Sequence, residues 1–172
     1  MINHVYIIAE AGVNHNGRLD LALQLCNAAK DAGADAVKFQ TWKTEKIVTR
    51  NENNISDKTK SQFKMLKELE LSYDNFEVVK NHCDEIGIQF LSTPDEIDSL
   101  DFLCNFNLPF IKLGSGDVTN IPFLRLVGSR HIDVVLSTGM SYLGDVEIAY
   151  RTLIEAGAKS VSLLHCTTNY PC

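Results

Sequence analysis

Short runs of β-branched and aromatic residues alternate along this chain with longer stretches that carry apolar residues three and four positions apart. That alternation narrows the fold more than any other feature. The strand candidates are Val5 to Ala9, Ala36 to Gln40, Gln89 to Ser92, Phe110 to Leu113, Val134 to Ser137 and Ser160 to His165. Between them, Ala22, Leu25, Cys26 and Ala29 form an inward stripe that stops at Gly33, and Met65, Leu66 and Leu69 predict a short additional helix. Asp74 reads as the cap of a helix through Phe76, Val79 and Cys83 that stops at Gly87. Further helices are expected over Glu96 to Asn105, Pro122 to Gly128 and Asp145 to Ala156. Parallel strands need crossovers of this length, so the pattern predicts an α/β chain built on a parallel sheet.

Two of the common parallel architectures lack their signatures. There is no Gly-x-Gly-x-x-Gly after the first strand and no Gly-x-x-x-x-Gly-Lys-Ser/Thr anywhere. A (β/α)8 TIM barrel fits better, but it needs eight strands and typically ~250 residues. The 172 residues supply six strands, and Asn169 to Cys172 leave the last one without a following helix. The expectation is a barrel truncated to about six βα units, with residues 1–172 forming part of a catalytic barrel. The stretch from Lys43 to Lys60 is polar and too long for an ordinary βα connection, which leaves it as either a linker or a lid beside a ligand.

Composition removes several classes of function. Twenty-two acidic against 16 basic side chains give a formal charge of -6, the wrong sign for a surface that tracks phosphates along nucleic acid. No apolar run approaches the ~20 residues of a membrane span, and no basic leader precedes the first strand. A cytoplasmic protein with neither nucleic acid nor membrane as partner is expected. The five cysteines are scattered without a C-x-x-C pair, and Cys26, Cys83 and Cys104 fall inside helical patterns as small core residues. The Asn54-Ile55-Ser56 match to a glycosylation acceptor then carries no meaning.

Polar residues collect where the strands end: Glu10; Lys38 and Gln40; Ser92 and Thr93; Lys112 and Ser115; Ser137 and Thr138; His165 and Thr167. In a parallel barrel these ends share one rim, and side-chain alternation puts Lys38 and Gln40 on one face if Val37 and Phe39 pack outward. Two ammonium groups, hydroxyls and the N–H groups of Gly114-Ser115-Gly116 suit a small dianion carrying phosphate or carboxylate. Glu10 reads as an acid, a base or a hydrogen-bond acceptor; for Asp117 that role and a salt bridge to lysine weigh equally. His15 is either catalytic or a turn-stabilising residue, and Cys166 is a packing and hydrogen-bonding residue. Thr168 and Tyr170 lie just past the last strand, within reach of a substrate.

At these residues the chain resembles the sialic acid synthase family, which condenses phosphoenolpyruvate with an N-acylated mannosamine-type sugar. The matching segments run in order: Ile8 to Gly17, Gly33 to Gln40, Phe90 to Pro94, Lys112 to Asp117, Leu136 to Met140 and His165 to Pro171. The resemblance implies a transferase with a (β/α)8 catalytic barrel and a divalent metal, Mn2+ or Mg2+. It also implies a homodimer in which a small antifreeze-like C-terminal domain, absent from these 172 residues, covers the partner's site. It assigns phosphoenolpyruvate to Lys38, Thr93, Lys112, Ser115 and Ser137, the sugar to Gln40, Asp117 and Tyr170, and a catalytic carboxylate to Glu10. Many members carry Glu at Asp117 and some carry Asn at Thr168. The family's metal-binding histidines belong to later strands, so His15 and His165 are not metal ligands and this chain is expected to supply none.

The implied mechanism has C3 of phosphoenolpyruvate attack the sugar aldehyde, water add at C2 and phosphate leave by C–O cleavage, which yields a nine-carbon keto acid. The Lys38-Phe39-Gln40 segment resembles members that make legionaminic acid from 2,4-diacetamido sugars. Three alternatives share parts of this pattern: another phosphoenolpyruvate-dependent keto-acid synthase, a Schiff-base aldolase using Lys112, and a non-catalytic fragment.

Overall fold

The structure, a computed structural model, describes residues 4–49 and 62–169. The chain divides into two compact units, Met1–Phe102 and Leu103–Cys172. Each is built on a three-stranded parallel sheet with its strands in chain order. The six strands expected are the six present among the described residues.

The first unit holds β1 (Ile8–Gly12), α1 (Leu19–Asp31), β2 (Ala36–Thr41), α2 (Thr44–Ile47), α3 (Gln62–Leu69), α4 (Tyr73–Ile86) and β3 (Gln89–Pro94). Its strand β1 starts and ends later than expected. Val5, Tyr6 and Ile7 are apolar yet 72, 47 and 53% exposed, and the paired register begins with Ile8 opposite Ala36. Asp35 instead accepts the Ile7 N–H at 2.6 Å. Beyond Ala9 the strand continues through an irregularity in register, with Glu10 opposite Lys38 but Gly12 opposite Phe39. Gly12 has φ +51, a backbone state that glycine takes without strain. Glu10 therefore sits inside β1 and does not end it.

Phe39 is fully buried at the centre of this unit, its ring 6.2 Å from Phe76, 5.9 Å from Phe90 and 6.0 Å from His15. On α1, Ala22, Cys26 and Ala29 of the expected stripe are buried, and Leu25 is half-buried. The cap of α4 is not Asp74. Ser72 accepts the Asn75 N–H at 3.1 Å, and Asp74 lies in the first turn, where a carboxylate complements the helix dipole. The helix ends at Gly87 with φ 70, as its sequence predicts.

The polar stretch after β2 is partly ordered by charge. Thr44 N–H and its hydroxyl both donate to Glu70, at 2.8 and 2.7 Å, and Lys67 bridges Glu45 and Glu70. Helix α2 is thus tied to the end of α3. The Asn54 match and most of the linker or lid stretch lie outside the described residues.

Helix α5 (Ile97–Cys104) carries the boundary between the units. The second unit then holds β4 (Ile111–Leu113), a 3-10 turn at Ser115–Asp117, α6 (Ile121–Gly128), β5 (Asp133–Ser137), α7 (Leu143–Ala156) and β6 (Ser160–Leu164). Asn120 caps α6 by accepting from Phe123 N–H at 3.3 Å, with Pro122 in the first turn. Helices α6 and α7 pack closely at Gly128, where a Cβ would come 2.6 Å from Leu153 O and 2.7 Å from Ala156 Cβ. Among the described residues no helix is long and apolar enough to cross a membrane.

Replacing Phe39 with Ala removes the ring that Phe76, Phe90 and His15 pack around. Urea denaturation of the full chain is expected to show a loss of about 3 to 5 kcal/mol. Tyr142→Ala, at a residue 85% exposed, is expected to stay within ~0.5 kcal/mol of the parent.

Candidate functional site

In the first unit the parallel register brings Glu10 of β1 opposite Lys38 of β2. The Lys38 ammonium lies 2.7 Å from a Glu10 carboxylate oxygen and 3.4 Å from the Thr93 hydroxyl. Lys38 is buried, with its side chain 9% exposed, whereas the Glu10 side chain is 54% exposed. A buried lysine needs a counter-charge to remain an ammonium, and this one has a carboxylate that still faces water. Gln40 lies two residues along β2 from Lys38, opposite Thr93 of β3. Glu10, Lys38 and Thr93 thus form one cluster, with Gln40 beside it.

His15 belongs to the same unit and is fully buried. Its Nδ1 accepts the Gly17 N–H at 3.0 Å, the turn-stabilising role that its loop position allowed. Burial lowers its pKa, so the ring is neutral. Its Nε2 has no partner among the described residues.

In the second unit Lys112 of β4 is buried, and its ammonium donates to the Ser137 hydroxyl and to Leu113 O, each at 2.6 Å. The Ser115 hydroxyl accepts the Gly139 N–H at 3.0 Å and lies 3.4 Å from Cys166 Sγ. Gly139 is hemmed in: a Cβ there would come 2.9 Å from Thr168 Cγ2 and 3.0 Å from Ser115 Oγ. Lys112 and Ser137 form one contact and Ser115, Gly139 and Thr168 another, and Cys166 meets the hydroxyls of both Ser115 and Ser137. Tyr170 lies outside the described residues.

The Gly114-Ser115-Gly116 turn departs from the expected anion cradle. Asp117 turns back to accept the Gly114 N–H at 3.1 Å, so that donor is engaged by the chain's own carboxylate. Burial raises the Asp117 pKa; the Gly114 N–H and the Lys112 charge pull it back only in part. Asp117 caps its own turn, and Asp three residues after Gly114 is the spacing of such a cap. Cys166 is the other side chain understated by the sequence. Burial opposes its thiolate, but donors from Ser115, Thr138, Ser137 and Gly139 outweigh burial and lower its pKa. A cavity of about 730 Å³ opens beside it, lined by Thr138, Met140, Tyr142, Leu143, Leu163 and His165 among others.

Each cluster can hold an anion by charge and hydroxyl donation. Neither fits a divalent metal: among the described residues no three His, Cys, Asp or Glu side chains gather as such an ion requires.

The chain is 42% identical to the N,N'-diacetyllegionaminic acid synthase of Legionella pneumophila, over 96% of this chain and 49% of that protein. It is 37% identical to the N-acetylneuraminate-9-phosphate synthase of Drosophila melanogaster, over 99% of this chain and 47% of that protein. The crystal structure of the N-acetylneuraminic acid synthetase of Leptospira borgpetersenii, solved with citrate, superposes with a TM-score of 0.86 at 32% identity. That match covers 99% of this chain and 56% of the other. The chain thus spans about half the length of the curated relatives it matches. The sequence model of the NeuB family matches residues 25–172, which include the strand-end lysines and hydroxyls of both clusters, and the chain belongs to that family.

Proposed function

We propose that this chain forms six units of a (β/α)8 catalytic barrel in a longer enzyme, a transferase acting on phosphoenolpyruvate. The reaction joins phosphoenolpyruvate, an N-acylated mannosamine-type sugar and water to give a sialic-acid-type nonulosonic acid and phosphate. The observation that carries this reading is that each unit buries one lysine, Lys38 or Lys112, in an apolar strand beside hydroxyls from the neighbouring strand. Burying an ammonium is costly, and a core lysine gives a packing role nothing that Leu or Met would not supply. A dianionic substrate makes use of both.

In this reading Lys38, Thr93, Lys112, Ser115 and Ser137 hold phosphoenolpyruvate, and Gln40, Asp117, Thr168 and Tyr170 meet the sugar. The lysines act by positioning and by charge as phosphate departs. Glu10 is the catalytic carboxylate: half exposed and paired with Lys38, it takes a proton from the water that adds at C2. The name of the Legionella relative, together with the Lys38-Phe39-Gln40 segment, favours a 2,4-diacetamido sugar as acceptor. The enzyme's divalent metal has no ligand set among the described residues, so the roles assigned here concern the other groups of the reaction. We assign the enzyme to the cytoplasm as a homodimer; scattered cysteines without a C-x-x-C pair accord with a reducing compartment.

Replacing Lys112 with Ala in the full-length protein tests the assignment. The variant is expected to keep its circular dichroism spectrum while phosphoenolpyruvate affinity falls about 10- to 100-fold, the scale of one charge-assisted contact. Turnover falls as well. Unchanged steady-state kinetics in a folded variant would refute the role.

Asp117 gives a pH prediction. Its folded pKa lies above the ordinary 3.8, so the folded state favours the protonated carboxyl. That stabilising preference is fully present below the ordinary pKa and is lost as pH rises through the folded value. Asp117→Asn is therefore expected to raise the melting temperature at pH 7, and to lose this advantage when melting is measured below pH 3.8. An advantage equal at both pH values would show that the carboxylate carries no burial penalty.

A further inference from the structure

Helices α1 and α4 meet in the first unit at two cysteines that the proposed reaction does not use. Cys26 and Cys83 are both fully buried, and the Cys83 S–H donates to Cys26 Sγ across 3.5 Å. They stand 57 residues apart in the sequence, on different helices. Buried Ala22 and Ala29 of α1 and Val79 of α4 are their neighbours along the two helices, small or branched residues that present no polar group to the thiols. We propose that Cys26 and Cys83 form a peroxide-sensitive dithiol, which a small hydroperoxide converts to a disulfide that staples α1 to α4.

The chemistry needs little movement. A disulfide has its sulfurs ~2.05 Å apart, so closure brings them about 1.5 Å nearer than the observed contact. Hydrogen peroxide is the oxidant because of its size. A glutathione disulfide would have to place a tripeptide between two close-packed helices, whereas peroxide adds one oxygen. The Cys26 sulfur attacks one peroxide oxygen, the O–O bond breaks, and Cys26 becomes a sulfenic acid as water leaves. The Cys83 sulfur then attacks the Cys26 sulfur, the S–O bond breaks, and a second water departs with the Cys83 proton. Two thiols are oxidised to one disulfide and one peroxide is reduced to two waters. The order follows from the hydrogen bond. Cys83 donates to Cys26, which lowers the pKa of Cys26 and raises that of Cys83, so Cys26 is the first nucleophile.

The test is peptide mapping of the full-length protein after graded hydrogen peroxide under native conditions, with remaining thiols blocked by N-ethylmaleimide in denaturant. The expected result is a Cys26–Cys83 peptide pair two hydrogens lighter than its parts, formed in preference to any pair containing Cys104 or Cys166 and lost on adding dithiothreitol. The same peroxide given to the denatured chain is expected to lose that preference. In a Cys83→Ala variant Cys26 is expected to proceed to sulfinic acid, since no resolving thiol is present. Two results would overturn the proposal. One is Cys26 and Cys83 both fully alkylated at a dose that oxidises Cys166; the other is sulfinic acid on either residue of the parent without the cross-link.

Discussion

A lysine ammonium withdrawn from water is tolerated only where charge or strong acceptors meet it, and this requirement shapes both units of the chain. In the first, Val37 and Phe39 bury the strand on which Lys38 stands, so Lys38 cannot move to solvent without dissolving the core. Its charge is met by Glu10 at 2.7 Å. That pairing exists because β1 and β2 run in parallel with Glu10 opposite Lys38. A slip of one residue would turn one member of the pair to the other face of the sheet, leaving a buried cation among the rings of Phe76 and Phe90. The register, the aromatic core and the cluster are therefore one constraint seen at three scales.

In the second unit hydroxyl and carbonyl oxygens meet the lysine, and the Asp117 carboxyl lies close enough to feel its charge. Lys112 is held by the Ser137 hydroxyl and Leu113 O, and the neighbouring Ser115 hydroxyl is fixed by the Gly139 N–H. A side chain at Gly139 would press on Thr168 and Ser115, whose side chains would have to shift to make room. The end of β5 and the turn after β4 thus bring two hydroxyls, Ser137 and Ser115, to this part of the unit. For a NeuB family member this arrangement gives a physical basis for hydroxyls flanking each lysine, since they orient the ammonium without neutralising its charge.

Much of this was legible from residue patterns, because the helices and strands here are marked by strong local signals. Gly87 and the Phe76, Val79, Cys83 spacing defined α4, and a run of buried apolar residues defined β2. The misread points lie where a partner decides. Val5 to Ile7 look like strand, but pairing begins only when Ile8 finds Ala36. Asp74 looks like a cap, but Ser72 reaches the orphan N–H. The lysines were recognisable because charge in an apolar strand is conspicuous. Asp117 was recognisable as a candidate, but its contact with the Gly114 N–H was not, nor were the donors around Cys166, since these depend on a turn closing back and on other loops.

In the proposed function, the buried charge on these strands serves an anionic substrate. Isothermal titration of phosphoenolpyruvate into the full-length protein and its Lys38→Met variant tests that claim most directly. Methionine matches the length and apolar stem of lysine, and the half-exposed Glu10 it leaves behind can be solvated, so the fold should survive. Lys38→Met, with an unchanged circular dichroism spectrum, is expected to bind phosphoenolpyruvate at least about tenfold more weakly. Binding of equal strength by the two folded proteins would contradict it, and would make the Lys38–Glu10 pair a structural ion pair and nothing more.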